Sequence, residues 1–277
     1  MMKLREWVDV EKLNWNYLCL NSNPSVISLL EQNPDKINWD YLSKNPNAVR
    51  LLEKNPYKIN WNFLSQNPNA ISLLEQNPDK INWISLSLNP NPDAIKMLKE
   101  NPDKINWNFL SGNSNAFTIL KENLDKINWY YLSDNTNINV IKLLENNPDK
   151  IDWFSLSSNP NAIEMLKENL DKINWSELSS NPNALELIQK NPDEIDWENL
   201  SRNSNAIELL QKNPDKINWN YLSQNPAIFT YDYQEIKEKN KDLNLEILMK
   251  SLNPKRMLKQ MAEYGEDDIY NCYFNDD

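Results

Sequence analysis

Apolar and polar positions along this chain recur in a fixed order. Ten tryptophans mark it: Trp15, Trp39, Trp61, Trp83, Trp107, Trp129, Trp153, Trp175, Trp197 and Trp219, at intervals of 22 or 24 residues. Aligned on them, each copy reads I-N-W-x-x-L-S-x-N-P-N-A-I-x-L-L-E-x-N-P-D-K. The run NPDKINW stands unchanged at 33–39, 77–83, 101–107 and 213–219. A fixed period of this size is the mark of a repeat architecture. Apolar residues at helical spacing then give two short helices per copy.

The first helix opens at Trp. The residue before it is always Asn or Asp, as at Asn38, Asn106 and Asp152, and these lead the N-cap preferences because the side-chain oxygen accepts an orphaned backbone N–H. Trp39 and Leu42 share one face, so the Trp is expected to be a buried anchor. For the second helix, Asn45-Pro46-Asn47-Ala48 predicts Asn45 as N-cap and Pro46 as the first helical residue, where a missing N–H costs nothing. Ala48, Val49, Leu51 and Leu52 form its apolar face, and Asn55-Pro56 ends it. The 24-residue copies carry NPSV, NPDA and NINV at 23–26, 91–94 and 137–140. Their two extra residues are expected to lengthen the connection between helices.

A pair of such helices cannot stand alone. Ordering each residue costs about 1–2 kcal/mol of backbone entropy, while each large apolar side chain returns roughly 1.5–3 kcal/mol when buried. Stacking on neighbours supplies the missing burial. The fold class expected is therefore all-α, an α-solenoid of about ten helical-hairpin repeats over residues 13–225. Residues 1–12 are expected as an N-terminal cap and 226–277 as a C-terminal helical cap with an acidic tail. In that last stretch helices are expected at about 231–241, 243–251 and from Pro254 to Tyr264, closed by Gly265. At about 8–10 Å per layer, an open stack would extend for about 80–100 Å.

Composition narrows the chemistry. Among 277 residues there is no histidine, and glycine occurs only at Gly112 and Gly265. The usual general base and the commonest metal ligand are thus missing, and no Gly-rich phosphate loop can be built. Cys19 and Cys272 are isolated, with no metal-ligand spacing, and Cys19 stands where other copies carry Ser, as a small packing residue. The net charge is −11, which opposes binding to a phosphate backbone. No apolar run of membrane length and no signal peptide is read from the sequence. No cofactor, metal or small-molecule substrate is expected.

Three recurring features invite a functional reading. An Asp in each turn, such as Asp35 and Asp79, forms a row, but layers 8–10 Å apart are too distant to share a metal ion, and a solvated turn is the simpler account. The second residue after Trp is aromatic at Tyr17, Tyr41, Phe63, Phe109, Tyr131 and Tyr221, and becomes Ser85, Ser155, Glu177 and Asn199 elsewhere. Either it packs laterally against the next helix, or it forms a platform for a partner; Tyr41, Phe63, Phe109 and Tyr131 are the candidates. The outward position of the second helix runs from Ser28, Arg50 and Lys96 to Glu164, Glu186 and Glu208. That gradient either steers a partner or is a solvated face with local Glu–Lys pairs such as Glu186–Lys190 and Glu208–Lys212.

The wording NPDKINWNFLSQNPNAISLLEQ resembles the short Asn-Pro-, Trp- and Leu-rich helical repeats that giant viruses of amoebae carry in many paralogous proteins. The resemblance covers about residues 13–226, and NPKRMLKQMAEYGEDD is similar to a closing segment of some of them. It implies a viral protein acting inside an infected host cell, in cytoplasm or nucleus, and it brings no catalytic motif. The expected function is a non-enzymatic scaffold or adaptor that binds a host or viral protein. The alternative is a nucleic-acid-binding repeat protein, to be told apart by whether Lys and Arg line one concave face.

Overall fold

The computed structural model describes residues 2–241. The chain divides into two compact units, Leu4–Phe229 and a second made of Met1–Lys3 with Thr230–Asp277. The first unit is all helices and turns between its ends, and it holds every copy of the repeat. Each copy forms one layer, numbered here by its Trp from one (Trp15) to ten (Trp219). A layer comprises a Trp helix, an Asn-closed turn, a second helix and a one-turn 3-10 helix; layer two, for example, uses Trp39–Lys44, Val49–Glu53 and Pro56–Lys58. Helices of four to nine residues are far below the length at which an isolated helix holds in water.

The expected cap before Trp is present in every layer. Asn106 Oδ1, for instance, accepts the Phe109 N–H at 3.0 Å, and Asp152 Oδ1 accepts that of Ser155 at 2.8 Å. The second cap differs from expectation in the 22-residue layers. Asn45 ends the Trp helix instead, its Oδ1 accepts the Asn47 N–H at 2.9 Å, and the second helix starts only at Val49. In two longer layers Asn91 and Asn137 do cap the second helix, which then runs Pro92–Glu100 and Ile138–Glu145. The extra residues therefore lengthen that helix rather than the connection before it.

Three apolar rows form the core. Leu42, Ala48 and Leu52 in layer two, and Leu110, Ala116 and Leu120 in layer five, are fully buried. The Trp side chains are not. All ten are half-buried, and most are covered on one face by a lysine of the following turn, such as Lys104 Nζ at 4.5 Å from the Trp83 ring centre. Trp thus corrects to a surface-sealing residue stacked under a cation, with Leu as the anchor.

Layers are joined by side-chain amides. The asparagine six residues after each Trp, from Asn21 through Asn113 to Asn225, is buried, and its Nδ2 donates to two backbone carbonyls of the preceding layer. Asn113 reaches Ser87 O at 2.9 Å and Asn89 O at 2.7 Å. A second rung runs from the asparagine two residues on, as Asn69 Nδ2 to Pro46 O at 2.8 Å. A third uses the buried serine, whose Oγ donates to the Trp carbonyl of its own helix and accepts an N–H from the next layer: Ser43 Oγ to Trp39 O at 2.7 Å, Asn60 N to Ser43 Oγ at 3.0 Å. Cys19 takes the serine's place in layer one. Burial raises its thiol pKa, against the lowering effect of the Asn38 N–H that it accepts. Buried polar groups arranged so that each finds its partner specify one register.

The stack does not stay open. Asn21 Nδ2 donates to Ser223 O and Asn225 O, both at 2.9 Å, and Asn14 N–H donates to Ser223 Oγ at 2.8 Å. Asn23 Nδ2 reaches Pro226 O at 3.1 Å, and Lys12 Nζ lies 5.2 Å from the Trp219 ring centre. The amide and hydroxyl bonds are those that join the other layers, and the Lys12–Trp219 contact matches the lysine cover found within a layer, so layer ten serves as the layer before layer one. The expected rod of 80–100 Å is replaced by a closed ring of ten layers, each junction turning through one tenth of a circle. Layer ten is assembled from both ends of the unit. It keeps its Trp helix, Trp219–Gln224, and a short turn, Pro226–Ile228, but no second helix. The 3-10 turn that should follow comes from Val10–Lys12, capped by Asp9, and Arg5 ties the two segments together through Arg5 N to Ile228 O at 2.9 Å and Nε to Ala227 O at 2.7 Å.

The remaining described residues are few. Met2–Leu4 and Phe229–Tyr231 pair as two strands. In the second unit Asp232 caps the helix Tyr233–Lys239, close to the expected 231–241. The helices expected at 243–251 and from Pro254 to Tyr264, and the acidic tail, lie outside the described residues.

Candidate partner-binding surface

Ring closure gives the layers an inside and an outside. At six of the ten junctions the backbones of successive Trp helices come close together, and at none do those of successive second helices. In a closed ring the closer rank sits at the smaller radius, so the Trp helices line the inner wall. Ten helices packed 8–10 Å apart place their axes on a circle about 13–16 Å in radius. Allowing about 5–6 Å for each helix with its side chains leaves an opening roughly 15–20 Å across.

Within a Trp helix the Leu three residues after Trp points to the core. The residues one and five after Trp, on the opposite side of the turn, face the opening, and the aromatic position lies between. Tyr41, Phe63, Phe109 and Tyr131 are all half-buried there. Tyr221, Tyr17, Tyr41 and Phe63 form one continuous run, with ring centres 6.3, 6.4 and 6.1 Å apart, and Phe109 with Tyr131 forms another at 5.7 Å. Ser85 separates them. Lateral packing and a partly open inner face are thus properties of the same row.

Glu164, Glu186 and Glu208 sit elsewhere. They are exposed on second helices, at the outer radius, and do not join the aromatic row in one site. Glu164 pairs with Lys167 at 2.9 Å and Glu186 with Lys190 at 2.6 Å, which lowers the Glu186 pKa and raises that of Lys167. The expected Glu208–Lys212 pair does not form among the described residues. Such exposed local pairs contribute little to stability. The Asp row is exposed in the turns, and among the described residues no group of three His, Cys, Asp or Glu side chains is placed to hold a metal ion.

The position directly after Trp went unremarked in the sequence. It carries Ile84, Tyr130 and Phe154, exposed at 53, 49 and 47%, among polar residues such as Asn16, Asp40, Asn108 and Glu198. Its signal is negative: it is the position that the repeat leaves free to vary. Around Tyr130 and Phe154 a cavity of about 200 Å³ is lined further by Tyr131, Asp134, Ser155, Ser158 and Glu177. Ser158 Oγ donates to Asp134 Oδ1 at 3.0 Å. Crowding by the surrounding protein raises the Asp134 pKa, the Ser158 hydrogen bond opposes this, and the like charge of Glu177 adds to it.

Around Asp196 the balance reverses: burial alone would raise its pKa, yet hydrogen bonds from Ser176, Asn199 and the Glu198 N–H bring it below its ordinary value. No helix among the described residues is long and apolar enough to cross a membrane. No family model, curated protein or solved structure matches the chain.

Proposed function

We propose that this protein is a non-enzymatic scaffold whose ring holds a segment of a partner protein against its inner wall. The observation that carries the reading is a division of labour within each layer. Positions that build the ring are the same in nearly every copy: the buried Asn, the Ser, the Leu. Positions one, two and five residues after Trp differ from layer to layer, and these face the opening. An opening roughly 15–20 Å across admits an extended chain or one helix of about 10–12 Å diameter.

Charge favours a protein over a nucleic acid. The variable inner positions bring Asp40, Asp134, Glu177 and Glu198 against Lys44 and Arg202, an acidic excess that repels phosphates. From the resemblance of its repeats we further propose a viral protein whose partner is a host or viral protein of the infected cell. A photo-crosslinking residue at Ile84 or, as the outer control, at Glu186 tests the reading in a lysate of infected amoebae. Crosslinks to one defined protein from Ile84 and none from Glu186 are expected. Crosslinks to RNA, or to protein from Glu186 alone, would overturn it.

A further inference from the structure

Asp134 and Glu177 face one small cavity, and neither forms an ion pair among the described residues. The cavity is a vacancy in the aromatic row. Phe109 and Tyr131 pack ring against ring, but in the next layer the aromatic position is Ser155, and in the one after it is Glu177. Two rings from the neighbouring position, Tyr130 and Phe154, stand about half-exposed at the mouth, and Tyr130 meets Tyr131 edge to face at 5.3 Å between ring centres. Asp134 and Ser158 complete the lining from the last turn of their helices.

The geometry assigns this cavity, on the scaffold reading above, as the pocket for an arginine side chain projecting from the bound partner segment. Three features select that group. A guanidinium is flat and binds aromatic faces, which Tyr131, Tyr130 and Phe154 supply. Its five donors can reach two carboxylates at once, and Asp134 and Glu177 converge here with no cationic partner among the described residues. Burial raises the Asp134 pKa and the like charge of Glu177 adds to it, a penalty on the carboxylate that an arriving positive charge offsets. On the outer rim Glu164 and Glu186 already have lysines and no aromatic wall, so they offer no equivalent.

The test uses a displayed library of random peptides selected on the full chain, with selected peptides then measured by fluorescence polarisation. Selected peptides should carry an arginine whose replacement by citrulline, which keeps the shape and loses the charge, weakens binding at least tenfold. Asp134→Asn with Glu177→Gln should weaken the same peptides at least tenfold, and Glu164→Gln with Glu186→Gln less than twofold. Far-ultraviolet circular dichroism confirms that the variants fold. If peptides bind and compete at the inner wall, yet need neither the arginine nor the two carboxylates, the pocket assignment fails while the scaffold reading stands. If no peptide is selected to the inner wall, both fail.

Discussion

The junction between layers ten and one and the junction between layers four and five use the same bonds, but they bring together very different parts of the chain. Asn113 reaches carbonyls 24 and 26 residues away, whereas Asn21 reaches carbonyls 202 and 204 residues away. Closing a loop about three doublings longer costs roughly 2 kcal/mol more. Layer ten is also less complete: it has no second helix, Ala227 leaves its junction with layer nine without the second-rung asparagine, and the Trp7 indole N–H is buried with no hydrogen-bond partner among the described residues. Identical local chemistry therefore yields unequal junctions. The ring should open at its seam before any layer unfolds.

The strongest way to probe that inequality is to cut one rung at each place. Asn113→Ala strands two carbonyls and the Asn115 N–H, each costing about 1–3 kcal/mol when buried, so a loss of about 3 kcal/mol or more is expected. Hydrogen exchange should rise across residues 83–129 first. Asn21→Ala removes the equivalent bonds, yet its exchange should rise at residues 5–31 and 219–229 while the middle layers stay protected. Equal loss of protection around the whole ring in both variants would contradict the seam as a separate weak point.

Leu110→Ala should cost about 2–5 kcal/mol, clearly more than Trp107→Ala, because Leu110 is fully buried and Trp107 is not. Urea unfolding of the two variants checks this, and a larger loss for the Trp variant would restore it as the anchor. Arg5→Ala removes a charged donor from the Ala227 carbonyl, a bond of a kind worth about 1.5–3 kcal/mol, and should loosen the seam alone. Ala227→Asn should instead tighten the neighbouring junction, between layers nine and ten. It supplies the missing rung to the Ser204 carbonyl and should stabilise the ring by about 1 kcal/mol, read as a higher melting temperature with slower exchange at residues 219–229.

The smallest effect lies on the intact side of the ring. Folding raises the Asp134 pKa, so the folded state holds that proton more tightly than the unfolded one. Stability from this group is then fully present below the unfolded carboxylate value and lost as pH rises through the folded one. Asp134→Asn should accordingly raise the melting temperature slightly at pH 7 and make no difference below about pH 4. An unchanged melting temperature at pH 7 would remove the proposed strain.

The layer was largely legible in the sequence; the ring was not. The Trp spacing gave the period, and the Asn before each Trp gave the cap, because both act within a few residues. Asn45 misled for a physical reason. Asn followed by Pro satisfies the rules for a helix N-cap, and nothing nearby reveals that its amide is already committed to Cys19 O and Asn21 O of the layer before. Closure depends on small rotations summed over ten junctions, which no single copy encodes. A trace of it was present, however. The first copy begins with the turn and cap Lys12-Leu13-Asn14 but no preceding helix, and the last stops after Asn225-Pro226 without its own turn. Two partial copies at opposite ends complete one layer.

Closure itself is tested most directly by crosslinking across the seam. Cysteines at Tyr17 and Tyr221, in a background with Cys19→Ser and Cys272→Ser, place thiols where the ring centres lie 6.3 Å apart; cysteines at Tyr41 and Phe63, at 6.1 Å, mark an ordinary junction. With a short bis-maleimide both pairs should link within one chain at comparable rates, the seam pair giving a large loop with altered mobility on a denaturing gel. If only the Tyr41–Phe63 pair links, or if the seam pair joins separate chains, the stack is open and the ring is wrong.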